Sequence, residues 1–292
     1  VKRLLGWEGP MGVGLRLAAA AADTLSEASA FAQLQATLDE HGLYVFTING
    51  FPYGPFHGTR VKEDVYLPDW RDPERLRYSN VLAELMARLM PDDGDAVGSI
   101  SSVPGAFKAR VTEPAHVAQM VDHLLAHVAV LVDLERRTGK RVVLALEPEP
   151  CCYLETVAES VAFFTDHLLA PGNLSNLAGR LNASVVQAEA FVRTHLGVCL
   201  DLCHAAVEFE DAATCVSAFE DAGIKIHKMQ VSAGLRFDDV GAHTEALLEP
   251  FVDAVYLHQV VAQHQAGGLQ RYVDLDEAFA ALPNEPAGTQ WR

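Results

Sequence analysis

An α/β chain folded as a (β/α)8 TIM barrel is the architecture this sequence predicts, and three observations predict it. Short runs rich in Val, Ile and Leu recur between longer helix-like segments, the alternation that parallel strands with crossover helices require. Nearly every run ends in functional side chains: Asn49, Ser101 with Ser102, Glu147 with Glu149, Asp201 with His204, Gln230, and His258 with Gln259. A barrel gathers such C-terminal ends at one mouth, whereas an open doubly wound sheet spreads them along an edge. Finally, no Gly-x-Gly-x-x-Gly turn follows an early strand, which speaks against a dinucleotide-binding sheet.

In chain order, strands are expected at 12–17, 43–48, 97–100, 142–146, 197–200, 224–231 and 255–260. Amphipathic helices are expected at 73–90, with Leu76, Val81, Leu85 and Leu89 on one side, and at 115–138, with Val117, Met120, Leu124 and Val128 at helical spacing. Pro91 and Gly139 supply their stop signals. Two further helices, 157–169 and 181–196, precede a single strand, so one connection carries an extra helix. Half of the 292 residues are hydrophobic, enough to bury one large core, and no composition shift marks a linker. Residues 1–292 are therefore expected to form a single TIM-barrel domain.

The net charge of −17, from 22 Lys and Arg against 39 Asp and Glu, repels phosphate backbones and anionic headgroups. No nucleic acid is expected as a partner, a local basic groove being the one escape from that argument. Five cysteines, at 151, 152, 199, 203 and 215, lack Cys-x-x-Cys spacing and read as reduced thiols of a cytoplasmic protein. No charge-free apolar run of about 18 residues and no basic-then-apolar leader is present, so no stable membrane insertion is expected.

The chemistry concentrates at strand ends. In 142–150 five apolar residues lead into Glu147, which Pro148 holds extended, and Glu149 lies on the same side but farther out. Carboxylates are the usual ligands of Mg²⁺ and Mn²⁺ and also serve Zn²⁺; the competing reading leaves both glutamates in solvent. In 196–204 an apolar strand ends in Asp201, with His204 three residues on, where one turn presents both to an ion or lets the acid orient the imidazole as a base. Gln230 can bind a metal through its carbonyl or hydrogen-bond a substrate hydroxyl, and Lys228 on the same face can stabilise charge; both can equally be solvated strand tips. The loop 49–58, with Asn49, Tyr53 and His57, reads as a substrate-binding loop or as an aromatic mini-core, and His258 as a further substrate contact.

Glu147 at one strand end and Gly197-Val198-Cys199-Leu200-Asp201-Leu202-Cys203-His204 at the next resemble the xylose-isomerase-like superfamily, which includes sugar phosphate isomerases and epimerases and endonuclease IV. The resemblance implies a barrel that binds a divalent metal through Glu147 and Asp201, with His204 a further ligand as in the endonuclease branch. More narrowly, Asn49-Gly50-Phe51-Pro52-Tyr53-Gly54 with Phe56-His57-Gly58, Val61-Lys62-Glu63-Asp64-Val65-Tyr66 with Pro68-Asp69-Trp70, Leu146-Glu147-Pro148-Glu149-Pro150 and Tyr256-Leu257-His258-Gln259-Val260 resemble the EboE-type metabolite-traffic proteins. That family implies a pathway handling a lipophilic or prenylated precursor, with protein partners of the same pathway, and no defined reaction. Two departures stand out: Gln230 occupies the place of a usual metal-binding His, and the 97–104 region lacks the endonuclease histidine. By this resemblance a first strand precedes Val1 and a last strand follows Arg292, so the barrel is expected to be truncated at both ends and 255–260 to be either a barrel strand or part of an appended hairpin.

Three functions follow as expectations. The first is a metal-dependent isomerase or epimerase-like enzyme for a small sugar-like metabolite, using Zn, Mn or Mg, with metal ligands Glu147, Asp201, His204 and Gln230 and with His204, Glu149 and Lys228 in catalysis. The second is a non-catalytic metabolite-binding carrier, and the third, disfavoured by charge, an endonuclease IV-like repair enzyme.

Overall fold

The computed structural model describes residues 1–54, 62–91 and 96–292. Six strands, β1 Met11–Arg16, β2 Leu43–Asn49, β3 Val97–Ser102, β4 Arg141–Leu146, β5 Leu196–Asp201 and β6 Ile226–Gln230, form one sheet. All its pairs are parallel and its spatial order follows the sequence. Helical segments fill every link, as parallel neighbours demand. β5 is buried at all six positions and β4 at all but Arg141, which is why both read as continuous apolar runs.

The sheet is curled. In a flat sheet β3 and β6 would lie about 14 Å apart, three spacings of about 4.8 Å. Lys228 Nζ on β6 nevertheless donates to Ser101 Oγ on β3 at 3.0 Å, so the interior faces turn toward one another. Gly197 permits the tight β5–β6 approach, since a Cβ there would stand 2.2 Å from the Lys225 carbonyl oxygen. β1 and β6 are edge strands, and among the described residues the parallel sheet has six strands, not eight.

Both long helices form with the expected limits. Asp72 caps Pro73–Leu89 by accepting from the Glu74 amide, and Gly139, at φ 71°, closes Pro114–Thr138. By length and composition the latter could cross a membrane, but half of its apolar window is buried, as befits a core helix. The helix expected at 181–196 forms over Val185–His195, and a further helix that was not expected, Pro171–Leu181, precedes it. Asn182 ends Pro171–Leu181 in the left-handed region, and Ser184 with Gln187 restarts the chain through a capping box. The helix at 157–169 is α only to Ala162 and continues as a π turn, Phe163–Leu168.

The strand expected at 255–260 is also corrected. Its backbone groups are drawn away from any ladder: Lys62 N donates to Val255 O, Val255 N to Asp253 Oδ1, and His258 N to Asp274 Oδ1. Pairing starts only at β7 Val260–Gln263, which sits antiparallel between β8 Leu269–Tyr272 and β9 Gln290–Trp291. This second sheet, the appended-hairpin alternative in a three-stranded form, has its own apolar cluster around Val240, Leu248, Val260, Leu275 and Trp291. The remaining core is one large cluster between the parallel sheet and its helices.

Candidate functional site

The ends of β4, β5 and β6 meet. Glu147, the residue after β4, is anchored by its own N–H donating to Ser102 O at 3.1 Å and is 6% exposed. Asp201 ends β5 and caps the helix Leu202–Val207, Oδ1 accepting from the Cys203 amide at 2.9 Å. Gln230 ends β6, and its Nε2 donates to Glu147 Oε1 at 2.6 Å and to Asp201 Oδ2 at 2.7 Å. Only an amide nitrogen can face two carboxylates in this way, which fixes the orientation of the side chain. Ser232, two residues beyond Gln230, donates to Asp201 Oδ1.

His204 donates from Nδ1 to the Pro148 carbonyl at 3.0 Å, because a carbonyl can only accept; Nε2 is left to a ligand or a proton. Burial disfavours the charged ring, but Glu149, Asp201 and Glu147 together outweigh it and hold its pKa above the ordinary range. Burial raises the Glu147 carboxyl to about 7, with Glu149 and Asp201 adding to the effect and His204 and Lys228 opposing it. For Asp201 burial is outweighed by His204, Ser232 and Cys203, and its pKa is lowered. Glu147 and Asp201 thus hold their protons with very different strength in one site.

Glu149 lies farther out, as alternation predicts, where Oε1 accepts from Tyr66 Oη at 2.7 Å and Gln259 Nε2 at 2.9 Å. A cavity of about 230 Å³ lies above these groups, lined by Arg16, Asn49, Tyr66, Glu147, Glu149 and His204 among others. His204, Leu257 and Gln259 separate it from a more apolar cavity of about 570 Å³ that Cys203, Phe237, Leu248 and His258 help to line.

The candidates from sequence therefore divide. Glu147, Asp201, His204, Gln230, Glu149 and Asn49 surround one mouth, with Lys228 deeper on β6. His258 lies in the neighbouring apolar cavity with Nδ1 buried and unpartnered. Tyr53 points its hydroxyl to Glu74 at 2.5 Å and packs edge-on against Tyr78, in the manner of a loop anchor. His57 lies outside the described residues. Tyr66, Ser232 and Cys203 share the site without having been assigned a role, as does Gln259, which the sequence offered only as a polar strand end. Ser232 carried a signal in its even spacing from Gln230.

A divalent ion suits this donor set: two carboxylates, an imidazole whose other nitrogen is fixed by a carbonyl, and an amide oxygen available if Gln230 turns over. Glu147 Oε2 is buried without a hydrogen-bond partner, an orphan that a cation would satisfy.

The chain matches no protein-family model and no curated protein. Among solved structures it resembles a 3-keto-D-glucoside 4-epimerase from E. coli, at 16% identity and TM-score 0.44 over 80% of this chain and 75% of that one. It also resembles a D-psicose 3-epimerase from Clostridium cellulolyticum H10, at 12% identity and TM-score 0.43 over 82% and 80%. A third likeness is a xylose isomerase-like TIM barrel protein from Mycobacterium smegmatis in complex with magnesium, at 13% identity and TM-score 0.39 over 67% of this chain and 53% of that one. None of these likenesses assigns a reaction to this chain.

Proposed function

We propose that the chain is a metal-assisted isomerase or epimerase-like enzyme that moves a proton on a small, polyhydroxylated or phosphorylated, sugar-like metabolite in the cytoplasm. One observation carries the reading: Gln230 joins Glu147 and Asp201 in a single buried site beside His204. Glu147, Asp201, His204 and the Gln230 carbonyl would hold the ion, which when bound polarises a carbonyl or hydroxyl of the substrate. His204 would give Nε2 to the ion while Pro148 fixes the ring through Nδ1. Glu149, held by Tyr66 and Gln259, is the proton carrier, and Lys228 offsets developing negative charge. Asn49 and His258 contact the substrate, and Tyr53 anchors the segment that follows Asn49. Five free thiols suit a reducing compartment.

The finer expectation, metabolite traffic of the EboE type on a prenylated precursor in company with pathway proteins, draws support from the apolar cavity that adjoins the mouth. A carrier without catalysis is the second reading, favoured by the fact that the Gln230 amide already bridges both carboxylates without an ion.

The test is metal content and exchange of substrate C–H hydrogen with solvent, across a panel of sugars and sugar phosphates, for the chain and its Glu147→Gln/Asp201→Asn variant. Loss of both in the variant is the expected result. Unchanged metal content overturns the metal role. Metabolite binding without turnover in the unmodified chain turns the reading to the carrier.

A further inference from the structure

We infer that the ion sits at the turn Asp201-Leu202-Cys203-His204 with Cys203 as a sulfur ligand, so that the site takes a thiolate-accepting ion of the zinc class in preference to Mg²⁺ or Mn²⁺. This rests on the metal reading above and changes its ligand set. One ligand atom each from Asp201, Cys203 and His204 lies within 4.8 Å of the other two, and among the described residues no other group of three acidic, thiol or imidazole side chains is as close. Atoms bound to one tetrahedral zinc, at about 2.0–2.3 Å, stand roughly 3.3–3.7 Å apart, so closure requires a contraction of at most about 1.5 Å. Glu147 does not belong to that group. The gap between it and Asp201 is filled by the Gln230 amide nitrogen.

Two of the three donors are also poised. Asp201 spends Oδ1 on the Cys203 amide and Ser232 and one position of Oδ2 on Gln230, which leaves one of roughly four acceptor positions. His204 has Nδ1 locked on Pro148 and Nε2 open. Three protein ligands on one turn leave a fourth position of a tetrahedral ion for water or substrate, the arrangement of catalytic rather than structural zinc. His204 lines both cavities and Cys203 the apolar one, so that fourth position faces ligand space. A thiolate ligand selects zinc-like ions against hard, oxygen-seeking Mg²⁺.

The experiment strips the full chain with a chelator and titrates it with Co²⁺ and with Zn²⁺. Expected are one equivalent of Co²⁺ with a near-ultraviolet sulfur-to-cobalt charge-transfer band, and Zn²⁺ affinity that exceeds that for Mn²⁺ and Mg²⁺. Cys203→Ser removes the band and weakens Zn²⁺ at least about tenfold, while Glu147→Gln leaves the band in place. X-ray absorption of the zinc-loaded, unmodified chain needs no variant and is expected to show one sulfur at about 2.3 Å. Binding of Co²⁺ or Zn²⁺ with only oxygen and nitrogen neighbours, or a band that survives Cys203→Ser, overturns the sulfur ligand and leaves the metal reading intact. Absence of binding by any of the four ions overturns both.

Discussion

Gln230 gives both hydrogens of one amide nitrogen to two buried carboxylates, and the balance of the site depends on that bridge. Methionine matches its length but donates nothing. Gln230→Met therefore leaves Glu147 and Asp201 facing each other across an unfilled contact and is expected to cost about 2–3 kcal/mol in urea melts at pH 7.5. Adding Glu147→Gln returns a donor beside Asp201 and is expected to recover part of that loss; a purely additive double variant would show that the bridge carries no energy. Tyr66→Phe deprives Glu149 of its phenol donor but spares Gln259, for an expected loss of about 1.5–3 kcal/mol in the same melts. Glu147 and the Asp201-x-x-His204 turn were legible in the sequence because an acid that ends an apolar run has few other places to go. The bridge was not legible, since alternation gives the face on which Gln230 lies and says nothing of which side chains meet it. Tyr66 comes from a segment without any period and Gln259 from an expected strand that does not form, and no local pattern joins residues 193 positions apart in sequence.

At the scale of elements, the strands of the parallel sheet and the two long helices follow from periodicity and stop signals, while 255–260 failed because an apolar run binds as a strand only if its backbone finds a ladder. His127, on Pro114–Thr138, carries a consequence that periodicity also hides. It is fully buried, with Nδ1 on Asn80 Oδ1 at 2.7 Å and Nε2 unpartnered, and burial lowers its pKa to about 3. Its folded pKa lies below the unfolded value of about 6.5, so the unfolded chain binds the extra proton between them. Stability from this residue is complete above pH 6.5 and falls with pH by about 1.36 kcal/mol per unit until about pH 3. By pH 5 the expected loss is about 2 kcal/mol, and His227, whose pKa burial lowers to about 4, acts with the same sign. His127→Gln is expected to flatten the difference between urea melts at pH 7.5 and pH 5 by about 2 kcal/mol. An unchanged difference would assign the acid sensitivity to other groups.

At the scale of the whole molecule, the question is how the small C-terminal sheet, with its separate apolar cluster, holds its place beside the mouth. Polar links do much of it. Lys62 reaches Asp274 and the Asp253 carbonyl, Arg292 donates to Ala206 O at 3.2 Å, and Arg271 on β8 pairs with Glu208 and, at 3.1 Å, with Glu155. The Glu208 side chain is fully buried and that of Glu155 is 4% exposed; burial pushes the Glu208 carboxyl above its ordinary range, and Arg271 is the cation that opposes that shift. Lys108 still serves Glu155 when Arg271 is removed, but Glu208 is left with none of its guanidinium contacts. Arg271→Met is therefore expected to cost about 3 kcal/mol, near the lower end for breaking a buried pair because Arg271 is itself partly exposed. The segment Tyr256–Gln259 lies between the two sheets, so the same change should loosen it and speed limited proteolysis there before the parallel sheet unfolds. Glu208→Gln on top of Arg271→Met removes the stranded charge and is expected to restore most of the stability without restoring protection of the segment. If both properties return together, the arginine served only to neutralise Glu208; if protection alone stays lost, it is the tether that holds Gln259 over the mouth.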